Sequence, residues 1–294
     1  NSFGRIRNAV CDTDTKRTAF DDAIQDCRNA FLRDILIRAR ADTDFQVMDD
    51  GKMALRIELL LWGGDEFTII VPAWKGLEVL EYFYRIASDL KFNDERYGDV
   101  LMTHRAAVIF CHHNAPILQI RRLANELLGT TRRNISDMFE SAFASDPALA
   151  GLTQKDRDHQ REWLSNPKYC NAVRYLVLES FDMLRGSLEQ FLNRYYRIAD
   201  VRGMLLYANE MSKLRSNLHT ICEAVPKSRV VEIAQAISRG DGTRKSELRE
   251  RLCESVAPDQ RDTVHTAINA LTKNNDAGWY VMADLWDFSE GWKI

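Results

Sequence analysis

The stretch "IELLLWGGDEFTIIVPAW", Ile57 to Trp74, decides how this chain is read. Two apolar runs flank Gly63-Gly64-Asp65-Glu66. Each run has the length and residue types of a short strand, and the glycines between them let the chain reverse, so the reading is a hairpin of two buried strands. Ala54 to Trp62 forms the first strand and Phe67 to Val71 the second. Pro72 ends the second strand, because proline cannot donate to a ladder. Asp65 and Glu66 stand at the tip, and their hard oxygens suit Mg²⁺. Gly63 and Gly64 would let the backbone approach a triphosphate. Two-metal phosphoryl transfer needs carboxylates that converge on a pair of cations. One hairpin rarely completes such a set, so a further carboxylate is expected from a neighbouring strand. For an isolated Gly-Gly-Asp-Glu a solvated turn is the commoner outcome, and the flanking sequence has to decide.

Upstream of the hairpin, Phe20, Ile24, Cys27, Phe31 and Ile35 recur at helical steps, which predicts a helix over Thr18–Arg40. The polar stretch Asp42–Lys52 reads as a loop. Downstream, Leu77–Leu90 reads as a helix, Leu101–Cys111 as a strand, and Pro116 opens another helix at a favoured first-turn position. The order is helix, hairpin, helix, strand, helix. A ferredoxin-like βαββαβ unit needs one more strand in front, expected upstream of Asn1, where the chain starts without a Met. From about Asn134 the pattern changes. "SDPALAGLTQKDRDHQ" reads as a polar link, and helices are expected over 171–198, 204–224, 228–238, 245–256 and 260–273, with a last one in "WYVMADLWDF". The expected fold class is therefore α+β: a ferredoxin-like palm over residues 1–135, then an all-α domain over 136–294.

With 294 residues the chain can hold two domains with cores of their own. Hydrophobic residues at 45% and charged residues at 28% fit a soluble globular protein. A net charge of −3 excludes a uniformly basic nucleic-acid binder, so phosphate binding must be local. The six cysteines form no CxxC pair, which argues against a zinc site or a disulfide framework and for a reducing, cytoplasmic setting. There is no signal peptide and no apolar run of membrane-spanning length.

"LLLWGGDEFTIIVPA" resembles the palm of GGDEF nucleotide cyclases and the palm of the large polymerase-like subunit of type III CRISPR effector complexes. The second resemblance extends to "RAAVIFCHHNAPILQIRRLANELL", Arg105 to Leu128, which is similar to that family's strand, His-containing strand end, proline and helix. Two positions depart from the family pattern: Arg105 stands where serine is usual, and Ala107 where glycine is usual. The opening "NSFGRIRN" looks like the tail of the family's first metal-binding motif, with Phe3 as its Phe and the motif's Asp upstream of Asn1. Arg7 falls where a guanine-reading Asn stands in diguanylate cyclases, which points away from a cyclic-di-GMP product. The resemblance covers roughly Asn1 to Arg133.

What the resemblance implies is a nucleotidyltransferase. It would join nucleoside triphosphates, ATP favoured, by 3′-hydroxyl attack on an α-phosphate, releasing pyrophosphate and making a cyclic (oligo)nucleotide messenger of antiphage defence. Asp65 and Glu66 would be the catalytic metal ligands for Mg²⁺ or Mn²⁺. Gly63, Gly64, Phe3, Arg7 and Arg132 would contact nucleotide. The protein would act as a homodimer or within an RNA-guided complex. The alternative is an inactive palm that binds nucleotide or scaffolds a complex. Adjacent His112 and His113 would point to opposite faces of a strand, which disfavours a shared metal. The short basic runs "RIRN" and Arg121-Arg122 read as solvated surface away from the active site, and the aromatic C-terminus as bundle cap or protein interface.

Overall fold

The computed structural model describes residues 2–64, 66–96, 98–145, 171–179, 187–196, 204–272 and 275–289, without the side chains of Ser2, Arg5, Ala9, Arg132 and 134–145. The protein is of mixed α and β structure. Contacts divide it into two units, each built from separate pieces of chain. One comprises residues 1–105 and 132–172, the other 106–131 and 173–294. The division thus places 106–131 with the second half of the chain, where the sequence suggested one boundary near residue 135.

In the first unit, α1 (Ser2–Val10) precedes α2 (Asp14–Ala41). Thr13 caps α2 by accepting from the Lys16 amide at 3.2 Å, which satisfies a donor the helix start leaves open. The buried face of α2 is Phe20, Ile24, Cys27, Phe31, Ile35 and Ala39, the apolar stripe legible in the sequence. Helix α1 buries Phe3, Ile6 and Val10 against Phe20 and Ile24, together with Phe92, Val100 and Met102. "NSFGRIRN" is therefore helix, where the resemblance implied the end of a strand motif. Three antiparallel two-stranded sheets follow: β1 (Gln46–Asp49) with β2 (Lys52–Leu55), β3 (Glu58–Gly63) with β4 (Glu66–Ile70), and β5 (Lys91–Asp94) with β6 (Gly98–Leu101). The expected loop over 42–52 is thus largely the first of these hairpins. Asp50 and Gly51 both adopt positive φ, 47° and 74°, the backbone that a two-residue hairpin turn requires. Helix α3 (Gly76–Ala87) packs on α2.

The GGDE hairpin is a hairpin, but its strands are half-buried rather than fully buried. Among the described residues it pairs with no third strand. One aromatic group seats it: Phe67 lies 5.4 Å from Phe31 of α2 and 5.1 Å from Phe83 of α3, and Trp62 lies 5.8 Å from Phe67.

The second unit corrects the expectation of an all-α domain. Strand β7 (Arg105–Cys111) joins β8 (Ala172–Leu178) and β9 (Leu206–Tyr207) in a three-stranded sheet. The expected long helix over 171–198 is instead β8 followed by the short helix α5 (Leu188–Tyr195), with residues 180–186 outside those described. The reason lies in burial. Ala172–Leu178 is covered on both faces, and such a strand reads as a near-continuous apolar run with no two-residue alternation. Helix α4 (Ile117–Ser145) begins at the proline, as expected. The expected helix over 204–224 is instead strand β9 and a short 3-10 turn followed by α6 (Met211–Ala224), while α7 (Lys227–Ser238), α8 (Gly242–Ser255), α9 (Arg261–Thr272) and α10 (Ala277–Leu285) lie close to their expected positions. Helix α6 packs on α9, and α7 packs on both α8 and α10. No helix among the described residues is long and apolar enough to cross a membrane.

Candidate functional site

The Gly63–Glu66 turn is the tip of the β3–β4 hairpin. Trp62 pairs with Phe67 and Gly63 with Glu66, and Gly64 stands at the tip between the two strands. The ladder slips at Leu60, between the Leu59–Ile69 and Leu61–Thr68 pairs, and such a bulge increases local twist. Gly64 has φ +53° and open space where a Cβ would stand. Its backbone therefore favours glycine on conformational grounds, and the turn has room above it. Glu66 is exposed at the start of β4. Asp65, the expected principal metal ligand, lies outside the described residues.

The turn is held from below and from the side. The Phe31–Phe67–Phe83 group anchors its base. From α2, the Arg28 guanidinium donates from Nη1 to the Gly64 carbonyl at 2.7 Å and lies over the Trp62 ring, 5.4 Å from its centre. Neither Arg28 nor Phe67 stood out as a site residue in the sequence. Phe67 is the last letter of the motif and reads simply as strand. Arg28 is 36 residues from Gly64, and only its place beside the buried stripe of α2 could have suggested it.

The other expected nucleotide contacts have different surroundings. Phe3 is core: only 4% exposed, it sits edge-on to Phe20 at 6.4 Å and to His104 at 4.9 Å. Arg7 is ion-paired with Asp21 at 2.7 Å. The side chain of Arg132 lies outside the described residues. The structure therefore brings together Gly63, Gly64 and Glu66, while Phe3 and Arg7 are committed to packing and ion pairing on α1.

His112 and His113 follow the last residue of β7 and lie in a turn, so strand alternation does not govern them. Their rings are 4.1 Å apart at 40°, and the Asn114 amide donates to His112 Nδ1 at 3.3 Å. Nearby on α4, Leu118, Arg121, Arg122, Asn125 and Glu126 line a shallow surface groove. Arg122 pairs with Glu126 at 3.3 Å, in keeping with a solvated helix face.

A divalent cation is tested against this donor set. Among the described residues no group of three or more His, Cys, Asp or Glu converges to hold a metal ion. Mg²⁺ is commonly held by one or two carboxylates together with the substrate's own phosphate oxygens. Glu66 is the described carboxylate of the motif, and by itself it does not amount to a preformed protein cage. No family model matches the chain, and neither the curated proteins nor the solved structures contain a match to it.

Proposed function

We propose that the chain handles nucleoside triphosphates at the Gly63–Glu66 turn, as the palm of a nucleotidyltransferase that makes cyclic (oligo)nucleotides, within a ferredoxin-like α+β scheme completed by segments beyond the β3–β4 pair. One observation carries this reading: an exposed acidic turn at the tip of a hairpin, with glycine at positive φ and open space over it. In the reaction the 3′-hydroxyl oxygen of one nucleotide bonds to the α-phosphorus of another. The bond from that phosphorus to the bridging oxygen breaks, pyrophosphate leaves, and the hydroxyl proton passes to solvent or a base. Mg²⁺ or Mn²⁺, when bound with the triphosphate, neutralises its charge and lets two carboxylates stand beside it. The chain's own part is to present Asp65 and Glu66 there, and Gly64 leaves the approach unobstructed. ATP is the favoured substrate, with a homodimer or a larger effector complex as the working assembly.

A second reading, a palm that binds nucleotide without turnover, is favoured by the engagement of Phe3 in the core and of Arg7 with Asp21. One assay separates the two. The protein is incubated with each labelled NTP and Mg²⁺ or Mn²⁺, products are resolved by mass spectrometry, and ATP binding is measured by calorimetry. Product that disappears in Asp65→Ala/Glu66→Ala supports the enzyme. Product that survives that double substitution removes the site from the turn. Binding without product supports the second reading, and neither binding nor product rejects both.

A further inference from the structure

Arg28 is a long cation spent on a backbone carbonyl. Among the described residues it forms no ion pair with a carboxylate. Its Nη1 instead reaches the Gly64 oxygen at 2.7 Å, its plane covers Trp62, and its Nε is buried without a hydrogen-bond partner. Leaving a buried guanidinium donor unpaired costs free energy. An arrangement that tolerates this cost fixes the guanidinium by its other contacts, a charge-assisted hydrogen bond and a cation–π contact. Phe31, one helical turn along from Arg28, packs against Phe67, the cross-strand partner of Trp62. One turn of α2 therefore grips both the apolar base and the polar crest of the hairpin.

We infer that Arg28 is the positioning residue of the acidic turn: it pins the Gly64 peptide at the tip of the hairpin and so fixes the backbone that leads into Glu66. Lysine cannot replace it fully, because an ammonium keeps the charge but lacks the plane that lies on indole. The link to nucleotides rests on the function proposed above; the pinning of the turn does not.

The test uses the full chain with Arg28→Ala and Arg28→Lys. Hydrogen–deuterium exchange over residues 59–70 reads the turn directly, with peptides of α2 and the thermal midpoint as controls for folding. The expected result is roughly tenfold faster exchange at the tip in Arg28→Ala, the order expected for losing a charge-assisted bond, with α2 unaltered and partial recovery in Arg28→Lys. In turnover, kcat should fall about tenfold or more while the KM for ATP changes little, because misplaced carboxylates weaken the transition state rather than substrate capture. Unchanged exchange at the tip overturns the inference whatever the kinetics show. Should Arg28→Ala fail to fold, Arg28→Lys decides: exchange identical to the parent overturns the inference. A loosened turn with unaltered kinetics in an active parent overturns the link to the site. A parent chain that neither binds nor converts any NTP defeats the proposed function, and the exchange result still decides the role of Arg28.

Discussion

Lys75 shows what a single residue contributes. It is 3% exposed, yet it carries an ammonium surrounded by Asp42 at 2.6 Å, Glu78 at 3.0 Å and Asp44 at 3.4 Å, with the Phe45 ring beneath it. Burial alone would pull its pKa down. The hydrogen bonds to Asp42 and Glu78 outweigh this and hold it above the ordinary lysine range. The cluster ties the end of α2, the turn after it and the start of α3 to one charge. Removing that charge leaves three acids facing one another. Lys75→Met should therefore destabilise the fold by about 2–3 kcal/mol, somewhat below a fully enclosed pair because Asp42 and Asp44 keep contact with water. The measurement is urea denaturation at neutral pH; a loss below roughly 0.5 kcal/mol, the range of an ordinary surface change, would contradict it. Nothing in the run of residues around Lys75 marks it as buried. Glu78 is one helical turn away, but Asp42 and Asp44 are brought to it from more than thirty residues upstream, and a lone lysine reads as surface.

At the scale of elements, Gly278 matters more than any glycine of the acidic motif. It opens α10 where that helix crosses α9. A Cβ there would come within 2.4 Å of the Leu271 carbonyl oxygen and 2.6 Å of the Thr272 Cα. These are backbone atoms and cannot swing aside, so Gly278→Ala must push the two helices apart. The expected loss is about 2–3 kcal/mol, read as a lower thermal midpoint, while Gly64→Asn, with open space and a residue that accepts positive φ, should cost well under 1 kcal/mol. The reverse ranking would show that the helix contact is softer than its geometry. Elements were legible where their pattern was local. The stripe from Phe20 to Ala39 announces α2, and the runs around Gly63–Glu66 announce the hairpin. They were illegible where burial on both faces erased the pattern: Ala172–Leu178 carries tyrosine, valine and leucine in a run that suits a buried helix as well as a central strand. The acidic turn was found from its own letters, whereas Arg28 and Phe67, which hold it, belong to the site only through contacts made across the fold.

At the scale of the molecule, each unit carries a buried group that titrates between about pH 4 and 7, His104 in the first and Asp284 in the second, and the two respond to acid in opposite directions. In the first unit His104 lies between the rings of Phe3 and Phe83. Burial depresses its pKa to about 4, against the pull of its bond to the Met102 backbone. The unfolded chain then binds the extra proton between about pH 6.5 and 4, so this contribution is complete above pH 6.5 and declines as pH falls through that window, by roughly 2–3 kcal/mol. In the second unit Asp284 accepts from Tyr196 at 2.8 Å and Tyr175 at 3.4 Å. Burial raises its pKa to about 7, more than the two tyrosines lower it. Here the folded state holds the extra proton, so stability falls as pH rises from about 4 to 7 and is flat above. Hydrogen exchange followed by unit across pH 4.5–7.5 should show the first unit loosening and the second tightening as pH drops. His104→Phe should flatten the first trend and Asp284→Asn the second; parallel trends in both units would refute the assignment. The chain's path adds a consequence for synthesis. The backbone of His104 donates to the Asn171 side chain at 2.8 Å, and the Tyr84 hydroxyl donates to the Ala172 carbonyl at 3.3 Å. The first unit is thus fastened by residues made long after its helices and hairpins. On the ribosome it must wait, incompletely closed, until residue 172 has left the exit tunnel. A truncation at residue 105 would release a fragment without its clasp.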